Sequence, residues 1–270
     1  MHRKRETEGG RHGQHIVNLK NHMVSRLINV LRMFSIDDVL EFEENFDEQY
    51  KALRRLYHHL EDPSLFLSLV ILNAIISYQL NCRGEEYWQE FSVFFSRNEL
   101  PTENPCDMML HFLERSKCNK RLVRQKIARI HRACGSVIDL CRNWHSLLEE
   151  QTKIVYVLAE ALQTSLDSKT VVFAVKMANY GLRIITNRRL IAPMEVDIPL
   201  DSRIARITKA LKIGNPKKFW REISRRIGIP PLHIDSLLWI AYKFALDDFY
   251  PDDERVPLLI ELIRQLISQI

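Results

Sequence analysis

Three segments of the chain carry side chains suited to chemistry. Lys169 directly follows the turn 165–168 and begins a helical pattern, and Asp201 stands at a position typical of a helix N-cap. Asp235 and Trp239 lie four residues apart and therefore share one helical face. A lysine amine that has lost its proton is a nucleophile, and a carboxylate accepts protons or stabilises positive charge. Taken singly, each residue also has an ordinary structural interpretation, as a solvated lysine, a helix cap, or a core tryptophan beside a first-turn carboxylate.

The elements that must position these residues are helices. Almost every segment has apolar residues at the helical spacing, and none shows the sustained alternation of a strand. Glycine is scarce, with 8 residues in 270, which argues against turn-rich all-β folds and glycine-rich phosphate loops. The sequence therefore predicts an all-α architecture, with helices at 19–31, from Ser35 onward, and at 63–80, 85–96, 108–115, 119–133, 146–164, 168–186, 202–213, 216–227, 233–247 and 256–268.

Composition limits the class of protein further. Hydrophobic residues make up 46% of the chain and charged residues 27%, which is typical of a folded globular protein. The most apolar run, 65–80, is short and is broken by Ser68, Asn73 and Ser77, so it predicts a buried helix rather than a membrane span. Residues 1–15 are highly polar and predict a disordered leader, which leaves 16–270 as one helical domain. Five cysteines without a CxxC pair predict reduced intracellular thiols, with neither a disulfide framework nor a structural zinc site.

Charge is distributed unevenly beneath a net formal charge of +5. The stretch 115–132 holds eight basic residues and no acidic residue, and the stretch 203–226 holds nine basic residues and one acidic residue, Glu222. Each block has two interpretations: it lies along a phosphate backbone, or it is a solvated helix face.

Five motifs, in consistent order and spacing from about Ser35 to Leu246, carry a resemblance to a known family. They are LNAIISY at 72–78, GEEYW at 84–88, KTVVF at 169–173, PLDSRIAR at 199–206 and GIPPLHIDSLLW at 228–239. In these motifs the chain resembles the archaeal GO glycosylases (AGOG), a branch of the helix–hairpin–helix DNA glycosylases that removes 8-oxoguanine from DNA and carries a lyase activity. The resemblance implies a helix–hairpin–helix at about 144–184, and two helical lobes with the active site in the cleft between them.

The resemblance also implies roles for individual residues. Lys169 matches the family's nucleophile, and Asp201 matches its catalytic partner. The hairpin turn lacks the glycine of the wider superfamily, which leaves the DNA contacts of the hairpin open. Cys134 and Cys141 have no later cysteine to complete an iron–sulfur pattern, so no metal or other cofactor is expected. The residues that match the base pocket are Gln49, Ser77, Trp88, Phe173, Asp235 and Trp239.

Physical chemistry is consistent with the two catalytic roles. A helix N-terminus disfavours a cation at Lys169, and the neighbouring Val171, Val172 and Phe173 would supply an apolar wall that favours the neutral amine. Asp201 would take the proton from the attacking amine and stabilise the positive charge that develops on the sugar.

Recognition of a damaged base in duplex DNA requires its extrusion, and aromatic stacking offsets the lost pairing and stacking. We expect two or three of the rings of Trp88, Phe173 and Trp239 to surround the extruded base. 8-Oxoguanine carries a proton on nitrogen 7, where guanine has a lone pair. A fixed acceptor beside that proton would discriminate by about 1–3 kcal/mol. The candidates are the side-chain oxygens of Gln49, Ser77 and Asp235.

We predict a monomeric, cytoplasmic, nucleoid-associated enzyme that acts on double-stranded DNA, with single-stranded DNA as a further candidate substrate and no membrane partner. It would release 8-oxoguanine and cleave the strand by β-elimination through a Schiff base. Phosphate contacts are expected from the helix after Asp201, through Arg203, Arg206 and Lys209. The alternatives are a monofunctional glycosylase for another lesion, and a non-enzymatic helical module that binds DNA or an acidic protein.

Overall fold

A computed structural model describes residues 22–97 and 102–268, and all regular secondary structure within these ranges is helical. The predicted all-α class is therefore confirmed, whereas the predicted leader, 1–15, lies outside the described residues. A 3₁₀ helix, Trp144–Leu148, lies between α7 and α8. The helices are α1 (22–31), α2 (Ile36–Phe46), α3 (Glu48–Leu60), α4 (Pro63–Ile76), α5 (Gly84–Arg97), α6 (Pro105–Arg115), α7 (Val123–Arg142), α8 (Thr152–Leu162), α9 (Lys169–Thr186), α10 (Ser202–Ala210), α11 (Pro216–Ile227), α12 (Pro231–Asp247) and α13 (Arg255–Ile267).

The helix predicted from Ser35 onward begins as expected, and a second helix that was not predicted separately follows it before Pro63. Ser35 caps α2 through a reciprocal capping box with Asp38. Asp47 ends α2, and its carboxylate accepts a hydrogen bond of 2.8 Å from the backbone N–H of Gln49, which caps α3. This break turns the chain so that Gln49 lies in the first turn of α3.

Helix α4 is shorter than predicted. It ends at Ile76 rather than near residue 80, because Ser77 leaves the helical conformation and Gln79 is left-handed, with φ 49°. The segment 77–83 is consequently a loop, although its composition is apolar at several positions. Within the described residues, no helix has the length and apolarity needed to cross a bilayer.

The buried apolar residues form two cores, which define two lobes. The central lobe is built from α3 to α9, with Ile71, Ile75, Phe91, Phe112 and Met177 among the buried side chains. The outer lobe combines α1 and α2 with α10 to α13. Its core includes Leu27, Phe42, Trp220, Ile234 and Ile260. The predicted two-lobed arrangement is confirmed, and the two ends of the described chain meet in one lobe.

The prediction of reduced thiols is wrong in this structure. Cys82 is bonded to Cys118 and Cys106 to Cys134, with Cα–Cα distances of 5.2 and 5.9 Å. Only Cys141 is free; it is buried, and burial raises the pKa of its thiol to about 12. The partners are 36 and 28 residues apart in sequence, so spacing alone carried no signal and the pairing depends on the fold.

Candidate active site

A cavity of about 360 Å³ opens between the two lobes. Helices α3, α4, α5 and α9 of the central lobe contribute one wall, and α10 and α12 of the outer lobe contribute the other. The cavity is lined by both predicted catalytic residues and by all six predicted base-pocket residues, namely Lys169, Asp201, Gln49, Ser77, Trp88, Phe173, Asp235 and Trp239.

Lys169 is the first residue of α9, directly after Ser168, and its side chain is exposed at the cavity. The apolar wall expected from its neighbours is largely absent. Val171 and Val172 are buried in the central core, and only Phe173 lines the cavity beside the lysine. The protein alone therefore does not desolvate the amine, because successive residues of a helix point in different directions.

Asp201 caps a helix and also lines the cavity. Its Oδ1 atom accepts hydrogen bonds from the backbone N–H groups of Arg203, at 3.0 Å, and Ile204, at 2.8 Å, and so caps α10. Its Oδ2 atom accepts a hydrogen bond of 2.9 Å from Nε1 of Trp239. The carboxylate is half-buried, and its orientation is set by these three donors.

The floor of the cavity holds an ion pair that sequence analysis missed. Lys176 Nζ lies 2.7 Å from Asp235 Oδ2, and both side chains are 3% exposed. Burial opposes the ammonium charge, but the carboxylates of Asp235 and Asp47 raise the pKa of Lys176 overall. Burial raises the pKa of Asp235 to about 6, and Lys176 acts against that rise.

A buried polar network continues behind this pair. Tyr180 donates a hydrogen bond of 2.9 Å to Asp47 Oδ2, and its hydroxyl also lies 2.9 Å from Ser236 Oγ. Burial raises the pKa of Asp47, which is fully enclosed. Helices α3, α9 and α12 are therefore joined by polar contacts directly beneath the cavity.

Two buried acceptors at the cavity have no protein partner among the described residues, namely Gln49 Oε1 and Asp235 Oδ1. The third predicted acceptor, Ser77, donates its hydroxyl proton to the backbone carbonyl of Asn73 at 2.7 Å. A buried acceptor without a donor is costly, so Gln49 and Asp235 are suited to receive N–H donors from a ligand.

The three predicted rings occupy different environments. Trp88 is 1% exposed and packs edge-on against Phe173, with ring centroids 6.2 Å apart. Phe173 is half-buried, and Trp239 is 8% exposed. The guanidinium of Arg203 lies 3.9 Å from the Trp239 ring centroid and so covers one face of that ring. Of the three rings, that of Phe173 is therefore the most exposed, with Trp88 packed behind it.

The three predicted phosphate-contacting residues differ in exposure. Arg206 and Lys209 are exposed on α10, and Arg206 donates a hydrogen bond of 3.2 Å to the hydroxyl of Tyr242. Arg203 lines the cavity and is paired with Glu85 at 2.9 Å, with side-chain exposures of 14% and 7%. Glu85, like Lys176, was missed by sequence analysis.

A signal for Lys176 was present in the sequence. Lys176, Tyr180 and Arg183 follow Lys169 at intervals of 7, 11 and 14 residues, a spacing that places polar side chains in one stripe along an apolar helix. Glu85 has no comparable signal, because a glutamate in the first turn of a helix is ordinary.

Comparison with known proteins identifies this architecture as that of a helix–hairpin–helix DNA glycosylase. The crystal structure of the 8-oxoguanine DNA glycosylase from Pyrobaculum aerophilum, complexed with 8-oxoguanosine, superposes with a TM-score of 0.77 and 28% sequence identity, covering 90% of this chain and 96% of that one. The chain belongs to the AGOG family of N-glycosylase/DNA lyases, whose model matches residues 28–257.

Curated relatives bear the same description. The N-glycosylase/DNA lyase of Methanococcus maripaludis is 40% identical over 217 residues, which are 80% of this chain and 86% of the relative. That of Thermococcus kodakarensis is also 40% identical, over 79% of this chain and 82% of the relative. The protein is therefore a bifunctional DNA repair enzyme with N-glycosylase and lyase activities.

Proposed function

We propose that this protein excises 8-oxoguanine from DNA with Lys169 as the nucleophile and then cleaves the abasic strand. The observation that carries the proposal is the shared cavity: an amine at the start of α9 and a carboxylate at the start of α10 line the same space as the six base-pocket residues. The relative from Pyrobaculum aerophilum, which is an 8-oxoguanine DNA glycosylase, supports the choice of base.

The polar groups of the cavity suit the hydrogen-bonding pattern of an oxidised guanine. 8-Oxoguanine offers N–H donors on nitrogens 1, 2 and 7 and carbonyl acceptors at positions 6 and 8. Gln49 Oε1 and Asp235 Oδ1 are unpaired acceptors for these donors, and the Lys176 ammonium can donate to a carbonyl. The nitrogen-7 proton is proposed to meet one of these two unpaired acceptors, and Ser77 is a third candidate, because its oxygen keeps free lone pairs while its proton is donated to Asn73.

The chemical step begins with the neutral amine of Lys169. Its nitrogen forms a bond to the anomeric carbon, the glycosidic bond breaks, and the bonding pair leaves with the base. Asp201 accepts a proton from the attacking nitrogen through the free lone pairs of Oδ2 and stabilises positive charge on the sugar. Because Lys169 is exposed without DNA, the bound strand and the extruded base would exclude water from the amine.

The lyase step follows from the same covalent bond. Opening of the sugar ring converts the amine adduct into a protonated Schiff base, which acidifies the neighbouring C2′ hydrogen. Loss of that proton expels the 3′ phosphate by β-elimination and breaks the strand. The amine nucleophile is therefore required for strand cleavage through the Schiff base, whereas water could serve as the nucleophile for base release alone.

Contact with the DNA backbone is proposed for Arg206 and Lys209, the exposed basic residues of α10. Arg203 was expected to share this role, but its contacts with Glu85 and with the Trp239 ring favour a role in positioning that ring. We further propose that the protein is a monomer that acts on duplex DNA, with single-stranded DNA as a further candidate substrate. Its proposed location is the cytoplasm, in association with the nucleoid.

The test is incubation with a duplex that carries one 8-oxoguanine, in parallel without and with borohydride. The wild-type protein is expected to release the base and cut the strand without borohydride, and to form a covalent protein–DNA adduct when borohydride reduces the imine, whereas Lys169→Gln loses all three. Asp201→Asn is expected to retain binding and to lose base release.

Two outcomes would reject parts of the proposal. Base release without an adduct would indicate a monofunctional mechanism with water as the nucleophile. Equal binding of lesion-bearing and undamaged duplexes, without base release, would indicate a helical DNA-binding module.

A further inference from the structure

The orientation of the Asp201 carboxylate depends on Trp239, a residue of α12. Its Oδ1 atom already accepts two backbone N–H groups at the start of α10, so rotation of the carboxylate is limited mainly by what Oδ2 meets. The donor to Oδ2 is the indole N–H of Trp239, on α12, at 2.9 Å. A shift of this indole would therefore turn the carboxylate away from the cavity.

The indole is in turn held by Arg203, two residues after Asp201. The guanidinium lies 3.9 Å from the ring centroid, a stacking distance, and its Nη1 atom donates a hydrogen bond of 3.1 Å to the backbone carbonyl of Trp239. One arginine therefore contacts both the ring and the main chain of the same tryptophan. A cation over the indole face also draws electron density from the ring, which makes the N–H a stronger donor.

Arg203 itself is fixed by Glu85. Its Nη2 atom donates a hydrogen bond of 2.9 Å to Glu85 Oε1, in the first turn of α5. The α5 backbone also approaches the indole closely, since a Cβ atom added at Gly84 would lie 3.4 Å from Trp239 Cζ2. Because both charged side chains are mostly buried, the pair is poorly placed to meet a solvent-facing phosphate.

We propose that Arg203, anchored by Glu85, is a positioning residue that holds the Trp239 indole so that its N–H keeps Asp201 aimed at the amine of Lys169. The inference rests on the proposed roles of Lys169 and Asp201, and it replaces the phosphate contact expected for Arg203. Contacts run from α5 of the central lobe through Arg203 to the catalytic carboxylate of the outer lobe. The contact between the two lobes at Arg203 is thereby linked to the orientation of the carboxylate.

The test separates positioning from phosphate binding by measuring turnover and the salt dependence of DNA affinity on the same variants. Arg203→Met is expected to lower kcat about 10- to 100-fold, because small displacements of catalytic groups have effects of this size. The log–log salt slope of binding is expected to stay at its wild-type value. Arg206→Ala, the exposed arginine on the same helix, is the matched comparison and is expected to flatten that slope by about one unit.

A double-mutant cycle tests the route through the indole. Trp239→Phe keeps an aromatic ring but removes the N–H, and is expected to lower kcat by a similar factor. Adding Arg203→Met to Trp239→Phe is expected to cause no further loss, because both changes interrupt one path. Additive losses would contradict the inference, as would an Arg203→Met protein with normal kcat and a flatter salt slope.

The double variant Arg203→Met with Glu85→Gln is the control for loss of folding, because it leaves neither charge of this ion pair buried without its partner. This protein is expected to melt like the wild type and to retain the kcat defect. If Asp201→Asn keeps full base release, the proposed function itself is wrong. If Asp201→Asn is inactive while Trp239→Phe and Arg203→Met are normal, only the positioning role is rejected.

Discussion

Lys176 Nζ and Asp235 Oδ2 lie 2.7 Å apart at the floor of the cavity, and each side chain is 3% exposed. An ion pair this well buried costs much of what it gains, since both charges have left water. Its second carboxylate oxygen has no protein partner among the described residues, so the pair presents both a donor and an acceptor to the cavity. This geometry indicates that the ion pair serves to bind a ligand rather than to stabilise the fold.

The first prediction concerns the pH dependence of stability. Burial raises the pKa of Asp235 from 3.8 to about 6, so the folded protein binds this proton more tightly than the unfolded chain does. The resulting stabilisation is fully present below pH 3.8 and is lost as the pH rises through about 6. Relative to Asp235→Asn, the wild type is expected to lose up to about 3 kcal/mol of unfolding free energy between pH 4 and pH 7.

The measurement is chemical denaturation of both proteins across this pH range, compared as a difference so that other titrating groups cancel. Lys176→Met provides a second check, because loss of the cation is expected to move the transition to higher pH. A pH-independent difference between wild type and Asp235→Asn would contradict the assignment.

The second prediction concerns recognition of the damaged base by Lys176. Replacing it by methionine removes a charged donor to a base carbonyl, and such a hydrogen bond contributes about 1.5–3 kcal/mol. Affinity for free 8-oxoguanosine is therefore expected to fall about 10- to 100-fold. Equilibrium binding to the Lys169→Gln protein, with and without Lys176→Met, measures this in the absence of turnover. Lys153→Gln, an exposed lysine on α8, is the matched control, and equal affinities of Lys176→Met and Lys153→Gln would reject the role.

The positions of the proposed catalytic pair at two helix starts could be predicted from local signals, whereas their chemical roles came from the resemblance to the family. A lysine that begins a helix and an aspartate that caps one are recognisable from a few neighbouring residues, and the spacing from Asp235 to Trp239 places both on one face. Burial of Lys176 was not predictable in the same way. The carboxylates that face it, Asp235 on α12 and Asp47 at the N-cap of α3, are distant in sequence.

Arg203 illustrates a second limit. In the sequence it belongs to a block of nine basic residues, and a charge block suggests a surface for phosphates. The structure instead buries this arginine between Trp239 and Glu85, while its neighbour Arg206 stays exposed. The difference arises from position along the helix: Arg203, in the first turn of α10, lies beside Trp239 and Glu85, whereas Arg206, one turn further along the same face, contacts the hydroxyl of Tyr242 and stays exposed.

The third prediction concerns the disulfides. Peptide mass mapping under non-reducing conditions is expected to show Cys82 linked to Cys118, Cys106 linked to Cys134, and a free Cys141. Closing a loop of this length stabilises by about 3–4 kcal/mol in the chain-entropy model, so reduction is expected to lower the melting temperature. Cys82→Ser is expected to remove part of the response to reductant, and Cys141→Ser none. Five reactive thiols in the unreduced, denatured protein would contradict this pairing.

The last prediction concerns the contact between the lobes at Arg183. This fully buried residue of α9 pairs with Glu43 of α2, and its Nη2 atom donates to the backbone carbonyl of Leu40 at 2.9 Å. Although burial opposes ionisation, His233 and Arg183 lower the pKa of Glu43 to about 2. Arg183→Met leaves that carboxylate buried without its arginine partner, so unfolding free energy is expected to fall by about 3–5 kcal/mol.

Urea denaturation measures this loss of unfolding free energy, and two further variants serve as controls. Adding Glu43→Gln to Arg183→Met is expected to recover part of the stability, because the uncompensated charge is removed. Arg142→Ala, which breaks an exposed pair with Asp139, is expected to leave the midpoint unchanged. If Arg183→Met were no less stable than Arg142→Ala, the buried pair would not hold α9 of the central lobe against α2 of the outer lobe, and the shape of the cleft would have to depend on the other contacts between the lobes.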